Sequence, residues 1–453
     1  MKKNFLSLAL VGALALPALT AVAGPLSLDE AIRHALNQNP ELRVANRQAQ
    51  AADARADAAK GAFLPQIDLR YLIRRSDNPL DAFADKLNTR SVTSADFDPA
   101  TLNNPDASTL HATQLSLELP LYTGGRLSAG MHEAGANAEA AHLSYERRQQ
   151  TTVYNTLHAY RAAQAAAYAV MIANDAVDAA REHAETTARL VRQGRIVASD
   201  RMTAELNLAS AKSLYEQATN RQRLAIEDLR LVTGLPANAE LLLPPWESPV
   251  APVAVPTVAE SEQRAFASRK DLKANEALVR ASRTKITAAR AAFQPQIGIV
   301  AADSWYDDNA ALDNKSQSIM GVVSMNLFSG GRDWHGLTAA QRDTEQSEVR
   351  FEGMQQAVRS EVRAAASRLT EATGRRRIAA QNVDMAHENV RLVKKRYGEG
   401  RTILIDLLMA ERMLVEARNE ELTASLGQEL SAAQLQLAEG SLPLPGEITA
   451  QPQ

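Results

Sequence analysis

The chain has 453 residues, is 45% hydrophobic but only 4% aromatic, carries a net charge of -3 and contains no cysteine. Abundant alanine with few aromatics favours long helices packed through small side chains over a thick aromatic core. The mildly acidic balance argues against nucleic acid as a partner. A chain without cysteine has neither disulfides nor the acylated cysteine of an N-terminal lipoprotein.

Taken in chain order, 1–23 reads as a secretory signal peptide. Lys2 and Lys3 form its basic start, 5–19 its apolar middle, and Ala21 and Ala23 the small-x-small cleavage pattern. An uncleaved anchor is the alternative, but the apolar middle is short for a membrane span. No later run of about eighteen apolar residues exists, so any crossing of a membrane has to be made by a closed β-barrel.

The remainder is written twice. "AAKGAFLPQIDL" from Ala58 returns as "AARAAFQPQIGI" from Ala288, and "LPLYTGGRLSAG" from Leu119 returns as "MNLFSGGRDWHG" from Met325. "RQGRIVASDRMTAE" around Gly194 answers "GEGRTILIDLLMAE" around Gly400, and Leu42 matches Leu272. Gly124 to Gly194 and Gly330 to Gly400 are both seventy residues apart. The repeat predicts a first structural unit over 24–235, a connector over 236–258 crowded with prolines, a second unit over 259–440 and a tail over 441–453.

Each unit has one plan: helix, Pro-Gln corner, strand, loop, strand, Gly-Gly-Arg corner, long helix, Gly-Arg turn, helix. The first helices are predicted over 28–63 and 258–293. Strand alternation is clean in Ile67, Leu69, Tyr71 and Ile73 against Asp68, Arg70 and Arg74, and in Leu115, Leu117, Leu119 and Leu121 against Ser116 and Glu118. It also runs through Val323, Met325 and Leu327, while Val300 and Asp303 break it after Pro295. Membrane barrel strands need this apolar-out, polar-in period, and a two-sided soluble sheet shows it too. The long helices, over 127–193 and 337–397, separate the two readings. Each spans roughly 90–100 Å at 1.5 Å per residue, which no compact domain contains. Their partners over 200–233 and 406–439 are about half as long. Four strands cannot close a barrel, for which about eight is the minimum, so several copies must contribute.

The "ALNQNPEL" opening, both Phe-x-Pro-Gln-Ile corners, both Gly-Gly-Arg corners and both Gly-Arg…Asp…Ala-Glu turns resemble the TolC-type outer-membrane efflux channels. The resemblance covers nearly the whole mature chain. It implies a mainly α fold with membrane β: duplicated helical hairpins forming a periplasmic tunnel, and four strands per chain in a twelve-stranded trimeric barrel. It further implies a homotrimer in the outer membrane of a Gram-negative bacterium, with most of the chain in the periplasm. The partners it implies are outer-membrane lipid, a periplasmic adaptor and an inner-membrane pump, for efflux or type I secretion through a passive exit duct. The rival is a periplasmic coiled-coil adaptor or scaffold that never enters the membrane. An exported hydrolase with a helical stalk is a second rival.

By the same resemblance Asp406 narrows the periplasmic entrance. Met409 stands one turn on, where some family members carry a second aspartate. Ser199 and Asp200 match at the first turn, and Tyr397 stands where the family has a tyrosine holding the tip closed. Asp200 and Asp406 also begin helices, where a carboxylate is simply a good cap. Gly194, Arg195, Gly400 and Arg401 are the tip turns expected to meet an adaptor, and plain reversal by glycine is the bland reading. Gly124, Gly125, Gly330 and Gly331, with Pro65 and Pro295, are expected at barrel-to-tunnel corners. Neither Gly-Gly-Arg has the Lys-Ser/Thr of a phosphate loop.

Other chemistry is thin, and the chain reads as no enzyme. The eight histidines form no ligand motif, Ser282 and Lys285 fit Ser-x-x-Lys without supporting motifs, and no metal or cofactor is expected. The halves differ in one place. Phe63 to Gly124 is sixty-one residues and Phe293 to Gly330 thirty-seven, the excess lying between Ser76 and Leu110. Long outer loops are a barrel habit. This one is expected outside the cell as a disordered flap, with closure of the outer mouth as the sharper alternative.

Overall fold

The computed structural model describes residues 25–236, 238, 241–247 and 255–444. The expected signal peptide, Pro249 and Pro252 of the connector, and most of the tail lie outside them. In chain order the elements are α1 Leu28–Gln38, α2 Pro40–Gly61, β1 Gln66–Ser76, α3 Pro79–Asn88, α4 Pro99–Asn103, β2 Ser108–Tyr122, α5 Arg126–Arg192 and α6 Ala198–Thr233. They continue with α7 Val258–Ser268, α8 Lys270–Arg290, β3 Gln296–Asp307, β4 Asn314–Ser324, α9 Arg332–Gly398 and α10 Leu404–Glu439. The repeat survives in the helices: α5 and α9 have 67 residues each, α6 and α10 have 36 each. At 1.5 Å per residue the longer pair measure about 100 Å.

Two expectations are corrected here. The helices predicted over 28–63 and 258–293 are each broken, at Asn39 and at Arg269, because both residues leave helical geometry (ψ 123° and 120°). The strand predicted through Leu327 ends at Ser324, leaving Met325 and Leu327 exposed beyond β4.

Packing divides the chain into two compact units, each drawing segments from both halves of the sequence. The first comprises 38–154, 252–374 and 428–453. Its sheet is a four-stranded antiparallel meander, β1-β2-β3-β4, with Leu69 opposite Leu115, Leu115 opposite Asp303, and Asp303 opposite Gln317. That register puts Ile67, Leu69, Leu115, Leu117, Ile297, Ile299, Ile319 and Val323 on one face. Asp68, Arg70, Ser116, Ser304 and Ser318 lie on the other. Asp303, an apparent break in the alternation, faces the apolar side and pairs there with Lys315 at 3.2 Å, next to Trp305. Two of its helix contacts are nearly pure alanine: Ala52 and Ala56 against Ala138, and Ala140 against Ala274 and Ala277. Side chains this small let helices approach closely while burying little area per residue. A larger core gathers Leu272, Val358, Val362, Leu369 and Leu435.

The second unit comprises 1–37, 155–251 and 375–427. Leu26, Ala31, Tyr160, Ala163 and Leu229 form one core, where the Tyr160 hydroxyl donates to the Leu26 carbonyl at 2.9 Å. Part of the Pro-rich connector is woven into this unit. Gln164 donates to the Pro244 carbonyl at 2.9 Å, and Trp246 packs with Ala165, Ile172 and Leu422. Among the described residues no helix is long and apolar enough to cross a membrane.

Candidate functional site

The two Gly-Arg turns end α5 and α9 in the same way. Gly194 (φ 69°) and Gly400 (φ 70°) take the left-handed conformation that closes a helix, which glycine adopts without a Cβ penalty. The following arginines complete the cap through their backbone: Arg195 donates to the Leu190 carbonyl at 3.0 Å and Arg401 to the Arg396 carbonyl at 2.8 Å. The Arg401 side chain pairs with Glu399 at 3.1 Å, exposed to solvent.

Asp200 and Asp406 stand at the third positions of α6 and α10, inside the helices and not at their caps, which corrects the simpler capping expectation. The third position still favours a carboxylate, close to the free N–H groups and the positive end of the dipole. Their surroundings differ. Asp406 is exposed and accepts a hydrogen bond from the Thr402 hydroxyl of its own turn. Asp200 is half-buried beside Tyr397. Burial, then the negative charge of Asp200, push the Tyr397 phenol above its ordinary value. Tyr397 packs on Ala184, Ala204, Leu404 and Leu408, joining all four helices of this unit's hairpins. Ser199 is exposed, and its carbonyl accepts from Thr203 at 3.0 Å.

One pair here escaped the sequence reading. His183 of α5 is buried, and its Nε2 lies 2.8 and 3.0 Å from the two carboxylate oxygens of Glu411 on α10. Glu411 also borders a groove of about 470 Å³, shared by Leu206 and Ser210 of α6 with Ile405, Met409 and Arg412 of α10. Met409 is thus an exposed apolar wall of that groove. The sequence signal for His183 was only its place on an alanine-rich helix, and no local motif announces a partner 228 residues away.

The Gly-Gly corners sit between β2 and α5 and between β4 and α9, with φ of 64° and 88° at Gly124 and Gly125, and 66° and 85° at Gly330 and Gly331. A Cβ at Gly124 would fall 2.5 Å from the Gln294 Cβ and 2.9 Å from the Ala291 carbonyl, so the chain passes too close for any side chain. A Cβ at Gly330 would meet nothing within 4 Å. Pro65 and Pro295 stand immediately before β1 and β3. Ser282 and Lys285 diverge: Ser282 bonds to Thr344 at 3.2 Å and Lys285 pairs with Glu133 at 3.5 Å. Among the described residues no cluster of His, Asp and Glu could hold a metal.

This arrangement of sheet, paired long helices and glycine turns has close counterparts. The sequence matches the outer membrane efflux protein family over 31–235 and 262–441, most of the chain. The chain belongs to the outer membrane efflux protein family. It is 24% identical over 393 residues to the alkaline protease secretion protein AprF of Pseudomonas aeruginosa, covering 85% of this chain and 78% of AprF. The solvent efflux pump outer membrane protein SrpC of Pseudomonas putida is 28% identical over 253 residues, about half of each chain (52% and 53%). In fold, the crystal structure of the Campylobacter jejuni CmeC outer membrane channel superposes with a TM-score of 0.79 at 16% identity, covering 93% of this chain and 88% of CmeC. As an outer membrane efflux protein, the chain is an exit duct of the outer membrane. Its sheet of opposite-polarity faces is what such a duct requires of its wall.

Proposed function

We propose that the protein works as a homotrimer, conducting passively to the exterior what an inner-membrane pump and a periplasmic adaptor deliver. The observation that supports it is the sheet: four strands whose β1 and β2 gather apolar side chains on one face and most of their charged and polar ones on the other, with β1 and β4 as its two edges. An edge strand in lipid has to be paired, and joining β4 of one copy to β1 of the next does so all round. Three copies give twelve strands. The printed names of the relatives fall on both kinds of assembly, protease secretion for AprF and solvent efflux for SrpC. The tip turns at Gly194, Arg195, Gly400 and Arg401 are then the adaptor-facing end. Asp406, exposed at the start of α10, forms one carboxylate ring per trimer at the periplasmic entrance, with Asp200 and Tyr397 bracing the hairpins behind it.

Planar-bilayer recording on the mature chain purified in detergent tests this. Discrete current steps are expected, and Asp406→Ala should weaken block by a multivalent cation about tenfold, roughly 1.4 kcal/mol of binding. Steps with unchanged block would keep the duct and leave Asp406 as a helix-start carboxylate. A monomer soluble without detergent, giving no current, would overturn the reading in favour of a periplasmic scaffold.

A further inference from the structure

The segment between β1 and β2 was expected as an unstructured flap, and it is folded. Asn78 and Asp98 cap α3 and α4 through their side chains, accepting from the Leu80 and Ala100 N–H groups at 3.0 and 2.8 Å. Asp96 accepts from Lys86 and, at 2.7 Å, from the Thr93 N–H. With the Lys86 bond the largest cause, its carboxyl is lowered to about 2. Phe83 and Phe97 meet edge to face, 5.7 Å between ring centres.

Which side of the sheet it folds onto follows from strand parity. Ile67, Leu69, Tyr71 and Ile73 hold the apolar face of β1, so Arg74 projects with Asp68, Arg70 and Leu72 on the polar face. Arg74 is the residue that grips the segment. Its Nη1 donates to Asp81 at 2.9 Å and its Nη2 to Asp85, both on α3. Ser76 and Ser108, paired across β1 and β2 on that same face, donate to Asp81 at 3.0 Å and Asp85 at 3.1 Å. Asp85 is buried with Ala82, one turn before it, while Leu80 and Leu87 on the opposite side of α3 are exposed. The helix packs across β2 and β3, where the polar-face residues Leu110 and Ser304 are buried. Arg90, which takes a positive φ of 56° without being glycine, donates to the Lys315 carbonyl on β4 at 3.0 Å. The segment therefore starts at β1 and is tied to β4, the full width of the sheet. All these ties lie at the strand ends farthest from the Pro-Gln and Gly-Gly corners.

We propose that 77–107 is an inward-folded constriction at the outer mouth of the duct, latched to the barrel wall by Arg74. This rests on the duct reading, which makes the polar face the water-filled interior. Three copies narrow the exit from three sides, and cargo wider than small solutes must displace the segment by breaking the Arg74 grip on Asp81 and Asp85. By contrast β3 and β4 are joined by the short turn 308–313, which adds no such segment of its own.

The chain has no cysteine, so Ser304→Cys supplies a single thiol on the covered wall. Intact cells are treated from outside with a membrane-impermeant maleimide. The thiol should label at least about tenfold faster when 77–107 is replaced by a short Gly-Asn-Gly turn. An intermediate rate is expected with Arg74→Ala, which keeps every residue of the segment and guards against misfolding of the shortened chain. Single-channel conductance in planar bilayers should rise in the same order. Equal labelling in the unaltered and shortened chains, or in the unaltered and Arg74→Ala chains, overturns the constriction while current steps persist. Absence of steps from every variant would instead strike at the duct itself.

Discussion

Asn39 and Arg269 make the same bend in the two halves of the chain, with φ and ψ of −58° and 123° at the first and −62° and 120° at the second. Each breaks a helix into a short and a longer part, and Leu42 and Leu272 follow at the same offset. What holds the bend differs. At the first, Pro40 opens α2 and disfavours helical geometry in the residue before it, while Asn39 Oδ1 accepts the Leu42 N–H at 3.1 Å. At the second, Lys270 replaces the proline and Arg269 lacks a capping side-chain bond. The Arg269 guanidinium is instead buried, reaching Asp271 at 2.7 Å, Glu361 at 2.7 Å and the Ala438 carbonyl at 3.0 Å. One bend has a determinant in its local sequence, and the other is held by distant parts of the fold.

Removing the distant support should therefore have the largest effect. Arg269→Ala removes the ion-pair partner of Glu361, leaves Asp271 only Arg147 at 3.6 Å, and takes one donor from the end of α10, where Arg147 still holds the Leu437 carbonyl at 2.7 Å and Gln150 the Gly440 carbonyl at 3.0 Å. Truncating one partner of a buried ion pair costs about 3 kcal/mol. Thermal unfolding in detergent, with proteolysis at the bend as a local probe, measures the loss. The same contact has a pH signature. Burial alone would raise the Asp271 pKa, but the bond and charge of Arg269, with Arg147, outweigh it and hold the group below its ordinary 3.8. A depressed carboxylate contributes stability that is complete above the unfolded value and is lost as pH falls through the folded one. The gap between the unaltered chain and Arg269→Ala should therefore narrow below about pH 4. An equal gap at pH 7 and pH 3 would show that Asp271 is not the partner that matters.

Gly440 gives the next effect. Its φ is 73°, and a Cβ there would lie 2.9 Å from Arg269 Cα and 3.0 Å from its backbone nitrogen. Gly400 has nearly the same φ, 70°, with nothing within 4 Å of the added atom. Both alanine variants carry the left-handed penalty of roughly 1–2 kcal/mol. Only Gly440→Ala also has to push back the backbone at the bend, so it should cost about 1 kcal/mol more than Gly400→Ala. Equal melting shifts would mean the second bend yields easily and that Arg269 is held less tightly than its contacts imply.

The same division explains what could be read in the sequence. The long helices, the Gly-Arg turns, the Gly-Gly corners and most of the strand alternation were legible because each is written in neighbouring residues. The bend at Arg269 was not, since its partners lie 92 and 169 residues away at Glu361 and Ala438. Nor was the His183–Glu411 pair at the tip, for the same reason. The segment after β1 was misread because Asp, Asn, Ser and Pro suit a flap as well as they suit helix caps. Its order comes from Arg74, whose side of the strand becomes informative only once the register is known. At the candidate entrance Asp406 and Asp200 were singled out through the family resemblance of the Gly-Arg turns, yet their unequal burial depends on Tyr397 packing between hairpins.

The smallest expected effect is at the first bend. Asn39→Ala removes one hydrogen bond to the Leu42 N–H, a capping contribution of about 1 kcal/mol. Pro40 remains, and it keeps the preceding residue extended whatever side chain that residue carries. The bend should therefore persist, with proteolysis there scarcely faster and the melting shift about a third of that in Arg269→Ala. A loss as large as at Arg269 would mean that Asn39, too, is held from afar, and the two halves would then bend for one reason. A loss near zero would place the whole determinant in Pro40, and Pro40→Ala would then be the variant that lets α1 and α2 run together as one helix.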